Sequence, residues 1–156
     1  MLTITLARPE DAPAIHAIQM LAFAAEAKLS GTDQIPPLLE TLASVEEMIQ
    51  SQRVLKAEID GVLVGSARGI VNAQVCRLQA VSVDPSHQGQ GIGGALLKAV
   101  EARHPEVTSF ELTTNTLVPG TVAFYERHGY TVRERTKYGE KIVLAQMHKP
   151  TVAGDA

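Results

Sequence analysis

The chain has 156 residues, 45% hydrophobic and 20% charged, with a net charge of −3, which excludes wholesale disorder and fits one domain with its own core. Aromatic residues make up 4% and Trp is missing, so there is neither a stacking platform for single strands nor a basic excess for duplexes, and nucleic acid is not an expected partner. The single cysteine, Cys76, rules out an internal disulfide and reads as a core filler, and no run approaches the roughly 18 apolar residues of a membrane span. With no leader-like segment in its first residues, the chain is expected to be soluble and cytoplasmic, without a membrane partner.

Leu2 to Leu6 alternates with period 2, the pattern of a half-buried strand. Asp11 followed by Ala12-Pro13 predicts the cap and first turn of a helix running to about Lys28, with Ile15, Ile18, Ala22 and Ala25 facing inward. Gly31 and Pro36-Pro37 break this pattern, and a second helix is predicted from about Leu38 to Gln50. Arg53 to Ile59 and Val62 to Val71 flank Asp60-Gly61, a strong hairpin signal, and Ala73 to Val83 adds a third antiparallel strand. Ile92, Ala95, Leu96, Ala99 and Val100 mark the sheet-facing side of a helix from Ile92 to Arg103. Val107 to Thr114 reads as a strand, and Pro119 to His128 as a helix ending at Gly129. Tyr130 to Lys137 and Lys141 to Met147 form a final hairpin. The order is α+β, not alternating β-α units, with a single domain over 1–150 and a loose tail over 151–156.

The richest stretch is Gln88-Gly89-Gln90-Gly91-Ile92-Gly93, which follows the run Leu78 to Val83 and opens a helix. Small residues let a ligand approach the backbone closely, and free N–H groups with the positive end of the helix dipole favour phosphate. Gly89, Gly91 and Gly94 also match the dinucleotide fingerprint G-x-G-x-x-G. That site needs the strand to run almost directly into the first glycine, whereas Asp84 to Gln88 intervene here after hairpins. A P-loop is excluded because no Gly-Lys-Ser/Thr follows.

Gln88, Gly91 and Gly93 fill the Gln/Arg-x-x-Gly-x-Gly/Ala turn of the GCN5-related N-acetyltransferase (GNAT) family, which the chain resembles. Leu78 to Pro85 looks like the preceding family strand with its Val-Asp-Pro exit, and Ala123 to Tyr130 looks like the aromatic-rich helix that ends at a glycine. The resemblance extends from Leu2 to about Met147 and implies a mixed, mostly antiparallel seven-stranded sheet flanked by about four helices. It also implies acetyl-CoA as co-substrate. Gln88 to Gly94, that is Gln88, Gly89, Gln90, Gly91, Ile92, Gly93 and Gly94, would hold its diphosphate, and Ala80, Val81, Val83, Asn115 and Phe124 its pantetheine arm.

Direct transfer from a thioester to an amine needs a neutral amine, a stabilised oxyanion and a proton for the thiolate. Tyr125 matches the position where the family places a tyrosine acid. The strand position that holds a glutamate base in some members is Arg77 here, and arginine is not a base. Glu111 and Asp33 are the alternatives nearest in sequence, deprotonation through water or an amine already partly neutral would need no dedicated base, and Arg77 is suited to a substrate carboxylate or to the exposed face of its strand. The five histidines show no metal-ligating spacing, and no metal is expected.

The expected function is transfer of an acetyl group to a primary amine of a small molecule or amino acid derivative. The rival is a non-catalytic acyl-CoA-binding sensor of the same fold. The acceptor groove should be shaped by Gly31 to Leu39 and by Arg135 to Lys141. Family analogy also allows a homodimer, for which the sequence marks no interface.

Overall fold

The computed structural model of the chain describes residues 1–151. Strands β1 (Leu2–Leu6), β2 (Val54–Ile59), β3 (Val62–Asn72), β4 (Val75–Val83), β5 (Ser109–Asn115), β6 (Thr131–Tyr138) and β7 (Ile142–Pro150) form one sheet in the order β1-β2-β3-β4-β5-β7-β6. All neighbours are antiparallel except β4 and β5. Asp60 (φ 51°) and Gly61 (φ 82°) both take positive φ, the two-residue turn that matches strand twist and joins β2 to β3.

Helices α1 (Ala12–Ser30), α2 (Pro36–Leu39) and α3 (Leu42–Gln50) precede β2, whereas α4 (Ile92–Ala102) follows β4 and α5 (Thr121–Arg127) follows β5. The main core includes Leu96, Leu97 and Val100 of α4 together with Ala57, Val64, Cys76, Phe110 and Met147 of the sheet, all buried. Cys76 is enclosed there, and burial together with Glu106 and Glu101 pushes its thiol up to about 11, so it stays an unreactive filler. A second cluster of Ala12, Ile15, Val45, Ile49 and Val54 ties α1 and α3 to β2.

Two helical expectations need correction. The helix foreseen from Leu38 to Gln50 is two pieces, α2 and α3, because Glu40 is extended (ψ 130°) and the Thr41 hydroxyl caps α3 by accepting from the Ser44 N–H at 3.1 Å. Its tertiary partners hold Glu40 outside the helix, as the site geometry explains. Asp11 stands at the N-cap of α1, but its carboxylate turns away from that helix, accepting from the Arg8 N–H at 2.8 Å and pairing with Lys56 at 2.9 Å.

The end of α5 follows expectation in full. Gly129 (φ 94°) is left-handed, its N–H reaches the Glu126 carbonyl at 3.1 Å, and the Tyr130 N–H reaches the Tyr125 carbonyl at 3.1 Å, which completes a Schellman motif. Of the expected tail, Thr151 is held, donating its N–H to the Thr108 carbonyl and its hydroxyl to the Val107 carbonyl; residues 152–156 lie outside those described.

Candidate active site

β4 and β5 share only three residue pairs, Val75 with Ser109, Cys76 with Phe110 and Arg77 with Glu111. Beyond them the strands part, and β5 continues in register with β7 instead. In β4, Ser82 pairs with Ser66 and Gln79 with Arg68, so Ala80 and Val81 bulge opposite the single Ala67. Ala80 takes φ 52° there, and the Ser82 hydroxyl donates to its carbonyl at 3.0 Å. The bulge and the gap together leave a stretch of strand edge without a ladder partner, open to a ligand that pairs like a strand.

The gap opens into a cleft of about 1450 Å³ that reaches elements on both faces of the sheet. At one end lies the glycine turn. Gly91 (φ 81°) is the N-cap of α4 without a side-chain cap, and the first helical bond runs from Ala95 to Gly91, which leaves the N–H groups of Ile92, Gly93 and Gly94 free for a ligand. A Cβ on Gly89 or Gly91 would meet nothing within 4 Å, so the space over the turn is open, whereas one on Gly94 would strike the His128 ring at 2.8 Å. The motif's glycines thus differ, with open space over Gly89 and Gly91 and close packing against His128 at Gly94. These features fit a diphosphate with an extended arm running into the gap.

Tyr125 of α5 also lines the cleft. Its ring packs edge-on against Phe124, with centroids 5.1 Å apart, and against Tyr130 at 6.1 Å. Burial and the neighbouring Glu26 carboxylate push its phenol up to about 12, so it carries its proton at neutral pH. Asn115 is buried, donating to the Ser30 hydroxyl at 2.8 Å and accepting from the Leu117 N–H at 3.0 Å, and so joins the end of β5 to the end of α1.

A buried polar cluster forms the cleft wall on the side of α1. Arg68 donates to Glu40 Oε1 at 2.9 Å and to Gln79 Oε1 at 3.2 Å. Gln19 donates to the same Glu40 oxygen at 2.9 Å and to the Pro37 carbonyl at 2.8 Å, while Ser44 donates to Glu40 Oε2 at 2.7 Å. Burial alone would raise the Glu40 carboxyl, but the hydrogen bonds from Arg68, Gln19 and Ser44 outweigh it and hold the group below its ordinary value. This is why Glu40 interrupts the helix.

Of the residues singled out from sequence, Ala80, Val81, Val83, Gln88, Gly89, Gly91, Ile92, Gly93, Gly94, Asn115, Phe124, Tyr125 and Arg77 all line the cleft. Gln90 lies outside it, exposed on the turn. Asp33 is exposed, accepts from the Gln34 side chain at 2.9 Å and does not reach the cleft. Glu111 lines a separate depression of about 500 Å³ with Arg133, Glu134 and His148. Arg77 borders both spaces and donates to the Thr113 hydroxyl, which donates on to Gln146 at 2.6 Å.

Sequence reasoning missed Glu26, Glu40 and Arg68 on the wall and Arg127 near the turn, which is a cation where residues 84–97 hold none. A signal for Glu26 was present. Gln19, Ala22, Glu26 and Ser30 recur at helical spacing, so the inward face of α1 turns polar in its second half, and Ala25 is exposed. Among the described residues no group of His, Cys, Asp and Glu is suited to a metal, and no helix is long and apolar enough to cross a membrane.

Residues 24–151 match the family described as acetyltransferase (GNAT) domain. The fold is that of the ribosomal-protein-S18-alanine N-acetyltransferase from Escherichia coli, with a TM-score of 0.76 at 22% identity over 99% of this chain and 97% of that one. Ard1 from Thermoplasma volcanium gives a TM-score of 0.77 at 19% identity over 97% and 98% of the two chains. YncA from Salmonella typhimurium, an acetyltransferase solved with acetyl-CoA, gives 0.75 at 21% identity over 96% and 94%. In sequence the chain is 26% identical over 134 residues to UPF0157 protein YqkA from Bacillus subtilis, covering 86% of this chain but spanning only 38% of the length of that relative.

Proposed function

From the premise that the chain belongs to the GNAT acetyltransferase family, we propose that it moves an acetyl group from acetyl-CoA directly to a primary amine of a small molecule or amino acid derivative. The observation that carries this reading is the gap between β4 and β5, opening into a cleft lined by the uncapped glycine turn of α4 and by a tyrosine that keeps its proton. The cofactor in the Salmonella relative and the coenzyme A in the Thermoplasma acidophilum PaiA structure support the donor assignment.

The N–H groups of Ile92, Gly93 and Gly94 would bind the diphosphate, aided by the Gln88 amide and by the Arg127 charge. Ala80 and Val81, unpaired in the bulge, would bond the extended arm and orient the acyl carbon. Bound acetyl-CoA supplies an acyl group already activated on sulfur. Tyr125 then gives its phenolic proton to the departing sulfur, a role that suits a phenol held neutral.

The test is a calorimetric titration of the purified chain with acetyl-CoA, followed by a thiol-release screen over alkylamines, arylamines and amino acid derivatives. Binding in the micromolar range with release for some amines is the expected outcome. Binding without release across the panel would favour a non-catalytic acyl-CoA-binding module. Absence of micromolar binding would remove both readings.

A further inference from the structure

We propose that Glu26, on the inward face of α1, is the proton acceptor for the attacking amine, an inference that rests on the transferase reading above. Two carboxylates line the cleft, Glu26 and Glu40. Glu40 has both oxygens engaged by Arg68, Gln19 and Ser44 and has no freedom to take a proton. Glu26 is in no ion pair among the described residues. Glu111 and Asp33, the carboxylates suggested by sequence position, lie outside the cleft.

The surroundings of Glu26 suit a base. The Asn115 amide from β5 is its polar neighbour, and Tyr125 from α5 is close enough to feel its charge. The other charged or titratable groups on the cleft are Arg68 on β3, Arg77 on β4, Arg127 on α5, His87 on the turn and Glu40 before α3. Burial raises the Glu26 carboxyl above its ordinary value, and the approach of Asn115 offsets only part of this. A carboxylate raised in this way is a stronger base at neutral pH than a solvated one.

The proton account closes with Glu26 and Tyr125 acting as a pair. Glu26 takes one proton from the acceptor ammonium and passes it to solvent, leaving a nitrogen lone pair. That pair forms the C–N bond while the carbonyl π electrons move to oxygen. As the carbonyl re-forms, the C–S bond breaks, and the sulfur takes the phenolic proton of Tyr125. Glu26 accepts the second proton from the new amide nitrogen and returns it to the tyrosinate. Each turnover of an alkylammonium releases an amide, a thiol and one proton.

The test compares the full chain with E26Q and E26D, using acetyl-CoA with an alkylamine and with an aniline-type arylamine already neutral at pH 7. E26Q should lower kcat/KM for the alkylamine by about 10²-fold at neutral pH and move the acid limb of its pH profile to the alkaline range where the amine itself loses its proton. The arylamine, which needs no initial deprotonation, should suffer less, and E26D should keep the limb at a reduced rate. Acetyl-CoA affinity should change less than twofold. An ionised carboxylate with a raised folded value opposes folding at neutral pH, so E26Q should be at least as resistant to urea as the wild type at pH 7. An unchanged E26Q profile, an equal fall for both amines, or a loss of urea resistance would overturn the assignment and leave the transferase reading standing. A wild-type chain that releases thiol with no amine would overturn both.

Discussion

The region where we propose the donor binds and the polar wall of the cleft are made of different material. The donor end is backbone: a left-handed glycine cap, free N–H groups at the start of α4 and a bulge at Ala80-Val81. The wall is side chains from four segments, Gln19 and Glu26 of α1, Glu40 before α3, Arg68 of β3 and Gln79 of β4, interlocked for the most part by hydrogen bonds. A backbone site tolerates side-chain change and fails when φ or free space is altered. A side-chain site fails when one partner is removed.

The largest effect expected from this contrast is on the wall. Arg68→Met leaves Glu40 buried without its cation and should cost about 3–5 kcal/mol in urea unfolding, whereas the double change Arg68→Met with Glu40→Leu should recover most of that loss. A double variant no better than the single one would break the comparison.

Tyr125→Phe keeps the ring packing and removes only the hydroxyl with its proton. Turnover at saturating acetyl-CoA should fall by about 10²-fold while donor affinity is retained. Wild-type turnover in this variant would reduce Tyr125 to a packing residue.

At the donor end, Gly91→Val places a branched side chain at φ 81° and into the open space over the turn. The left-handed strain alone is about 1–2 kcal/mol, so acetyl-CoA should bind at least tenfold more weakly by calorimetry. Gln88→Ala, which leaves the backbone intact, should weaken binding less than Gly91→Val. The reverse order would mean that side chains also carry the donor end.

The smallest effect is on pH. The Glu40 and Asp11 carboxyls are both held below their ordinary values, so each adds stability that is complete above the unfolded value and is lost as pH falls through the folded one. Urea unfolding between pH 6 and 3 should therefore show a steeper acid loss in the wild type than in the Arg68→Met, Glu40→Leu double variant.

The same contrast explains what was legible in the sequence. Donor-end features are local: a strand, a turn and a helix start follow one another within Leu78 to Gly94, and a short motif with its flanks suffices to read them. The wall was illegible because Glu40 and Arg68 are 28 positions apart and meet only through the tertiary fold. Without it, Glu40 reads as an ordinary helical residue, which is why the break between α2 and α3 was missed. Glu26 was overlooked for a related reason. Ala22 and Ala25 made the face of α1 look uniformly small and apolar, although Gln19, Glu26 and Ser30 already marked its polar turn.

Among the described residues, the three residue pairs between β4 and β5, with the Thr108 N–H donating to the Gln74 carbonyl at 2.7 Å beside them, join the two halves of the sheet through backbone near one end only. The molecule is accordingly a pair of leaves, β1 to β4 and β5 to β7, stapled near one end. A ligand arm that bonds both free edges would act as a replaceable strand and close the staple along its length. Stability and donor concentration would then be linked, with about 2.7 kcal/mol added at a hundredfold excess over Kd.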